Sequence, residues 1–160
     1  MDYKMRSVMF SSKRHDHGTP ADIFRQLDQE FHFSLDVCAD SSNAMVKNFL
    51  TKRDNALQIS WTSHTCWMNP PYGRELPKWI SKAFHESQVN NATVVCLVPA
   101  RTDTNWFWNY CFNGEIRLIK GRLRFKGETS SAPFPSMIVI FRPESKDCAT
   151  DRAIHPLEAF

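Results

Sequence analysis

The stretch TVVCLVPA, residues 93–100, decides the fold class. An apolar run of this length, rich in β-branched residues, is typical of a strand that is buried on both faces of a parallel sheet. The preceding segment, ELPKWISKAFHES (75–87), is predicted to be an amphipathic helix because its apolar residues fall on one stripe. That stripe consists of Leu76, Trp79, Ile80, Ala83 and Phe84. Before the helix comes TCWM (65–68), which is predicted to be a second strand.

The alternation of strands and helices continues in both directions along the chain. Upstream, TPAD (19–22) predicts a helix start, with Thr19 as the cap and Pro20 at the first helical position. The alternating apolar residues of FHFSLDVCA (31–39) predict a strand in its second half. The remaining segments are KNFLT (47–51, a short strand), RDNAL (53–57, a loop or helical turn), TDTNWFWNYCF (102–112, a helix), EIRLI (115–119, a strand) and SMIVIFRP (136–143, a strand). This order indicates an α/β sheet.

Length and composition predict one globular domain. The chain has 160 residues, 42% of them hydrophobic and 23% charged, and a net charge of +3 that is compatible with a polyanionic partner. We expect a polar, basic N-terminal arm at 1–17, the main domain at 18–143 and a polar tail at 144–160. No apolar run approaches membrane-spanning length, and the N-terminus lacks the apolar core of a secretory signal, so we expect no membrane partner and a cytoplasmic location.

The cysteines and histidines predict reduced thiols and no metal site. The cysteines are widely spaced and form no CxxC pair, and they are Cys38, Cys66, Cys96, Cys111 and Cys148. Three of them lie in apolar stretches, as reduced core residues do. His15 and His17, in RHDHG, would be the candidate metal ligands, but a solvated polar arm is the preferred interpretation of that segment.

Polar groups follow three of the predicted strands. LDVCAD (35–40), MNPPYG (68–73) and LVPARTD (97–103) each leave a strand and enter a polar turn. Ligands of open parallel sheets bind just beyond the carboxyl ends of the strands. Pro70 and Pro71 must end their strand, since proline cannot donate to a sheet ladder. We therefore expect the functional site at this edge, centred on NPPY.

The NPPY sequence resembles the active-site tetrapeptide of amino-methyltransferases that use S-adenosylmethionine (SAM). A whole series of segments resembles the small phage-type DNA N6-adenine methyltransferases, in order: TPADIF, LDVCA, DNAL, WMNPPYG, LVPARTDTNWF, GRLRF and APFPSM, spanning roughly residues 18–141. The resemblance implies a class I, Rossmann-like methyltransferase sheet with helices on both faces. Only 33 positions separate Asp36 from Asn69 (69 minus 36), and one βαβ unit takes about 30 residues. The sheet must therefore be a trimmed version.

The residues of NPPY suit the methylation of a planar amino group. Asn69 can accept a hydrogen bond from adenine N6 through its side-chain oxygen, and the Pro70 carbonyl can accept a second one. Two acceptors would direct the nitrogen lone pair at the methyl group and stabilise the charge that develops on nitrogen. The rigid Pro70–Pro71 turn fixes the acceptor carbonyl, and Tyr72 offers a face on which a flipped adenine can stack. A plain Pro-Pro corner with a core tyrosine is the alternative.

On the SAM side, the resemblance implies several further residues. Asp36 and Cys38 belong to LDVCA, where related enzymes usually place a glycine-rich loop, and this chain has no glycine there. Asp36 would accept a bond from the SAM ammonium group, and Asp54 would contact the ribose or adenine of SAM. Thr19 and Pro20 would close over the methionine end. For each aspartate, an ordinary capping or turn role is the alternative.

The candidate DNA contacts are basic or amide side chains. Arg122 and Arg124 alternate with Leu123 and Phe125 in IRLIKGRLRFK, so an extended ribbon here would be basic on one face and apolar on the other. Arg101 and Asn105 follow the 93–100 strand. Such side chains suit phosphate contacts beside the site, although a solvated strand face is an equally good interpretation of any one arginine.

The sequence thus predicts a SAM-dependent methyltransferase that acts on adenine N6 in double-stranded DNA, with the adenine flipped out. We expect a monomer that functions in the cytoplasm of a bacterial host, as a phage or prophage protein. The same chemistry on RNA or on a glutamine amide is one alternative. A catalytically silent nucleic-acid-binding domain of the same fold is another, and the absence of a glycine-rich loop favours it.

Overall fold

A mixed β-sheet forms the centre of the protein in the computed structural model, which describes residues 17–144 and 154–157. Within these residues the strands are β1 (Leu35–Asp36), β2 (Thr65–Met68), β3 (Thr93–Pro99), β4 (Glu115–Ile119), β5 (Ser136–Phe141) and β6 (Ile154–Leu157). The helices are α1 (Ala21–Phe31), α2 (Leu76–Val89) and α3 (Asn105–Asn109), with a 3₁₀ turn at Cys111–Asn113. The predicted α/β class is confirmed.

The strands lie in the order β1-β2-β3-β5-β4-β6. The β1–β2 and β2–β3 pairs are parallel, but β5 inserts between β3 and β4 and runs antiparallel to both. The expectation of an all-parallel setting for β3 is therefore only half right. The apolar run nevertheless has the predicted cause, because residues 94–99 of β3 are all buried. It is covered on both faces, whichever way its neighbours run.

Helices cover both faces of the sheet, as predicted. Neighbouring residues of β2 point to opposite faces, and the ring of Trp67 lies 5.5 Å from that of Phe24 in α1. The register places Cys66 opposite Val94, and Val94 opposite Phe141. Phe141 meets Phe84 of α2, with ring centroids 5.7 Å apart. Helix α1 therefore packs on the Trp67 face and α2 on the Cys66 face.

The sheet is short on the β1 side. The predicted strand at KNFLT (47–51) is wrong, since only one isolated bridge, between Asp36 and Phe49, forms there. The buried carboxylate of Glu86 holds the loop before β2 by accepting from the backbone N–H of Trp61 at 2.7 Å. The same carboxylate accepts from Lys82 Nζ of its own helix at 2.5 Å. In the described chain no further strand or helix lies between β1 and β2. This arrangement agrees with the predicted trimmed sheet.

Three element boundaries differ from the predictions. Helix α1 begins at Ala21 with Pro20 in the cap position and without a side-chain cap bond, because the Thr19 hydroxyl bonds to the sheet instead. Helix α3 covers only 105–109, capped by the Thr104 hydroxyl. Within the predicted polar tail, Ile154–Leu157 forms β6 and pairs in parallel with β4. Its Pro156 is compatible with this place because an edge strand leaves one side unpaired.

Among the described residues, no helix is both long enough and apolar enough to cross a membrane. Cys66, Cys96 and Cys111 are buried thiols, and burial raises the pKa of the Cys66 and Cys111 thiols to about 12. The predicted core positions of Cys66 and Cys96 are thus confirmed, whereas Cys38, the third cysteine in an apolar stretch, is only half-buried. Cys148 and His15 lie outside the described residues, as do residues 1–16 of the predicted arm.

Candidate active site

Strand β2 ends directly in the NPPY segment, and Tyr72 anchors that segment in the core. Its side chain is 3% exposed. The hydroxyl lies 3.0 Å from the Leu97 carbonyl of β3 and 3.1 Å from Asn69 Oδ1. Burial raises the pKa of the Tyr72 hydroxyl well above its ordinary value, so the phenol keeps its proton. That single proton serves one acceptor at a time, and Asn69 Oδ1 is open to another donor whenever Leu97 takes it.

The amide of Asn69 is oriented by a segment from the other end of the chain. Asn69 Nδ2 donates to the His17 carbonyl (2.7 Å) and to Thr19 Oγ1 (3.1 Å). Thr19 is 8% exposed, and its hydroxyl also accepts from the indole N–H of Trp67 at 3.3 Å. Because both amide hydrogens are engaged, the plane of the amide is fixed. The side-chain oxygen is held on the side of Tyr72.

On the residue after Asn69, the Pro70 carbonyl is an acceptor without a donor among the described residues. No N–H or O–H of residues 17–144 or 154–157 bonds to it. Pro70 itself is buried, and both peptide bonds of the pair are trans. The carbonyl of the residue after Asn69 is therefore held by a rigid backbone and can accept from a ligand.

Three aromatic rings surround the end of NPPY and form what we call the aromatic pocket: Tyr72, Phe125 and Phe134. Their centroids lie 5.7–6.1 Å apart. The His17 ring contacts all three, at 4.9 Å from Tyr72, 4.6 Å from Phe125 and 5.7 Å from Phe134. The interpretation of His17 as part of a solvated arm is therefore wrong, because both of its ring nitrogens are buried. The predicted stacking face of Tyr72 already has a ring against it.

At the end of β1, Asp36 closes its own loop. The side chain is 2% exposed, and its two oxygens accept from the backbone N–H groups of Cys38 (3.2 Å) and Met45 (3.1 Å). Burial raises the pKa of the Asp36 carboxyl above its ordinary value, against the effect of those two bonds. No salt bridge within the described residues reaches it. The structure thus shows the capping role, and it leaves a buried carboxylate without a cation.

The second aspartate lies in a different environment. Asp54 is exposed and accepts from the backbone N–H and the hydroxyl of Thr51, each at 2.7 Å. These bonds lower the pKa of the Asp54 carboxyl. This geometry is the turn role that the sequence leaves open, and the predicted contact with SAM stays a prediction.

The predicted DNA contacts are all exposed: Arg101, Asn105, Arg122 and Arg124. In what we call the basic segment, residues 120–126, exposure alternates as predicted, with Phe125 buried between exposed Arg124 and Lys126. The predicted ribbon is reduced to one antiparallel bridge, between Lys126 and Gly18. Arg101 follows Ala100, whose N–H bonds to the Pro135 carbonyl next to Phe134. Arg122 and Arg124 thus lie in the segment that contributes Phe125 to the aromatic pocket. Arg101 follows a residue that bonds to the segment of Phe134.

Sequence reasoning did not single out Phe125 or Phe134 as site residues, and it considered His17 only as a metal ligand or as part of a polar arm. Phe125 and Phe134 do belong to the segments GRLRF and APFPSM. The order and spacing of these segments after NPPY were the available signal. His17 carries no such signal, because its position depends on a contact across 52 residues of sequence with Asn69.

Comparison with known proteins identifies the family of the chain. The family model described as DNA N-6-adenine-methyltransferase (Dam) matches residues 6–154. The chain belongs to this family. A DNA N-6-adenine-methyltransferase of Haemophilus phage HP1 (strain HP1c1) is 35% identical over 137 residues, which cover 80% of this chain and 79% of the relative.

Membership in the Dam family decides between the alternatives that NPPY leaves open. The chain is a DNA N-6-adenine-methyltransferase, and its class implies SAM as the methyl donor. Family membership argues against RNA or a glutamine amide as the substrate, and against a catalytically silent nucleic-acid-binding domain. Among the described residues no cluster of His, Cys, Asp and Glu is arranged to hold a metal ion.

Proposed function

We propose that this Dam-family enzyme methylates adenine N6 with the oxygens of Asn69 and Pro70 as the two acceptors for the amino group. The observation that carries the proposal is the pair of acceptors at the end of β2. One is a carbonyl to which no described N–H or O–H donates, and the other is an amide fixed by Thr19 and His17. The two oxygens would pull electron density onto N6 and fix its lone pair. Neither group is a useful base, so the released proton goes to solvent and catalysis consists mainly of positioning.

The target adenine must leave the DNA duplex to reach this site. While the adenine is stacked in the duplex, its N6 cannot approach acceptors that lie at a buried corner of the protein. Tyr72, Phe125 and Phe134 would supply the surrounding rings. Base–aromatic stacking contributes about 1–3 kcal/mol per base. Arg101, Asn105, Arg122 and Arg124 would contact the phosphates of the flanking strand.

The residues at the end of β1 fit SAM through charge. When bound, SAM supplies an electrophilic methyl group on a sulfonium centre. The Asp36 carboxylate has lone pairs beyond the two that Cys38 and Met45 use, and an ammonium group would supply the missing cation. Thr19 and Pro20 would enclose the ligand from the side of NPPY, and Cys38 and Asp54 would complete its surroundings.

We place the enzyme, as a monomer, in the cytoplasm of a bacterial host. The phage origin of a relative supports this placement, since the DNA to be methylated is there.

The test is direct product identification. The purified protein is incubated with methyl-labelled SAM and unmethylated plasmid DNA, and the digested nucleosides are analysed by mass spectrometry. We expect N6-methyladenine and no N4-methylcytosine, with no label on RNA or on protein glutamine offered in parallel. Long-read sequencing of the plasmid then gives the methylated sequence. Label on RNA alone, or no transfer by a protein that binds SAM, would overturn the proposal.

A further inference from the structure

Residues 17–19, which we call the strap, cross the active site and are tied down on both sides. On the β2 side, the His17 carbonyl accepts from Asn69 Nδ2 and the Thr19 hydroxyl accepts from Trp67. On the other side, the Gly18 carbonyl accepts from the Lys126 N–H at 2.9 Å. The strap thus links the end of β2 to the basic segment, directly over NPPY.

The ring of His17 fills the aromatic pocket. Its centroid is 4.6–5.7 Å from those of Tyr72, Phe125 and Phe134, and both of its nitrogens are buried. A planar nitrogen heterocycle therefore lies in contact with the Tyr72 ring, and the backbone carbonyl of the same residue accepts from the Asn69 amide. An adenine whose N6 bonds to Asn69 and Pro70, and whose plane lies on Tyr72, needs the same space.

We propose that His17 is a stand-in for the target base: its ring occupies the base pocket in the free protein, and the strap opens when an adenine enters. The proposal rests on the proposed function, and it adds a competition between the chain's own ring and the substrate. Thr19 can keep its bond to Asn69 while His17 leaves, so the amide stays oriented in the open form. The strap then excludes other flat molecules from the pocket until DNA is bound.

The strap has little tolerance for a side chain at position 18. A Cβ added at Gly18 would lie 2.7 Å from the Lys126 carbonyl oxygen and 3.0 Å from Lys126 Cβ. Contacts this short force the strap and the basic segment apart. Gly18→Ala is therefore a variant that loosens the strap and leaves the His17 ring unchanged.

Closure must lower the apparent affinity for the substrate. When only a fraction of the protein is open, the apparent dissociation constant rises by the inverse of that fraction. The closed form gains the partly buried hydrogen bond between Asn69 and the His17 carbonyl, and the contacts of the His17 ring. Together these should make the closed form roughly 5- to 30-fold more populated than the open form. Removal of the ring should recover part of this factor.

The kinetic test compares His17→Ala, His17→Phe and Gly18→Ala with the wild type on unmethylated plasmid DNA. We expect His17→Ala to raise kcat/KM roughly 3- to 10-fold through a lower KM, with SAM affinity unchanged. Gly18→Ala should act in the same direction. His17→Phe keeps a ring in the pocket and should show no gain, and His85→Ala is the control for an exposed histidine elsewhere.

A second measurement follows the ring itself. In NMR spectra of ¹³C-histidine-labelled protein, the His17 signal is identified by its loss in His17→Ala. The three neighbouring rings should move its chemical shift away from the value of a solvent-exposed histidine. The chemical shift should return towards that value when SAM and a short duplex with the methylated sequence are added. A lower or unchanged kcat/KM for His17→Ala, or a His17 signal that stays shifted in the complex, would overturn the proposal. Those results leave wild-type methylation intact, whereas failure of the proposed function is an inactive wild type.

Discussion

Thr19 links the proposed cofactor side of the site to the Asn69 amide, and its hydroxyl can be removed with little change of shape. Thr19→Val replaces the hydroxyl by a methyl group. Asn69 Nδ2 then loses its 3.1 Å acceptor and Trp67 Nε1 its 3.3 Å acceptor. Both donors lie in a region where Thr19 is 8% exposed, so water does not replace the lost bonds freely. A buried donor left without a partner costs about 1–3 kcal/mol.

That free energy divides between stability and catalysis. The indole of Trp67 is fully buried, so its unpaired N–H should lower the free energy of unfolding by about 1–3 kcal/mol. The looser Asn69 amide should raise the barrier to methyl transfer by roughly 1.4–2.7 kcal/mol, which is about a tenfold to hundredfold loss of rate. Thr19→Ser keeps the acceptor and should stay within about threefold of the wild type.

The assay is single-turnover transfer of tritiated methyl from SAM to plasmid DNA with enzyme in excess, beside SAM titration by calorimetry. It separates two roles for Thr19. If Thr19→Val weakens SAM binding and leaves the single-turnover rate at saturating SAM equal to that of Thr19→Ser, the hydroxyl serves the cofactor and our reasoning about the amide is wrong.

Three further results follow from charges. Asp36→Ala should weaken SAM binding about tenfold or more. Burial raises the pKa of the Asp36 carboxyl. The SAM affinity of the wild type should therefore also fall as the pH is lowered through that raised pKa. Arg122→Ala combined with Arg124→Ala should flatten the slope of log DNA affinity against log salt by one to two units, since each phosphate contact contributes about −0.9. Burial acts to raise the pKa of Glu86, but the Lys82 bond and two N–H donors hold that pKa below its ordinary 4.5. The ionised Glu86 therefore stabilises the folded protein above that pH, and this contribution is lost as the pH falls through the folded pKa. Glu86→Gln should flatten the acid limb of a plot of melting temperature against pH.

Each of these expectations has a matched contradiction. Unchanged SAM affinity in a folded Asp36→Ala protein would leave Asp36 as a loop cap only. An unaltered salt slope in the double arginine variant would move the DNA surface to the N-terminal arm, around Lys13 and Arg14. A Glu86→Gln profile parallel to the wild type would mean that other carboxylates control acid unfolding.

The sheet and its helices were largely predictable because their signals are local. Apolar stripes and runs define α2, β2 and β3 through side-chain periodicity alone. The antiparallel insertion of β5 was not predictable in this way, because strand direction depends on where the chain returns and not on the composition of the strand. Strand β6 follows a segment without a clear pattern and carries a proline, which argues against a strand anywhere but at an edge.

The site divides in a similar way. The NPPY corner could be located because proline restricts the backbone and because strand ends converge at one edge. The roles of Thr19 and His17 could not be predicted, since both depend on contacts with Asn69 made across 50 or more residues. Asp36 shows a third situation, in which one buried carboxylate suits both a loop cap and a cation site. Only a binding measurement separates those two functions.

The most direct test of the central claim is the single-turnover rate of Asn69→Ala with SAM affinity measured on the same protein. Removing a group that acts on charge in the transition state typically costs about 10²–10³ in rate. We predict a loss of at least this size, SAM affinity within a few fold of the wild type, and a much smaller effect for Tyr72→Phe, which keeps the ring. An Asn69→Ala enzyme that transfers methyl groups at the wild-type rate would contradict the assignment of NPPY as the catalytic corner.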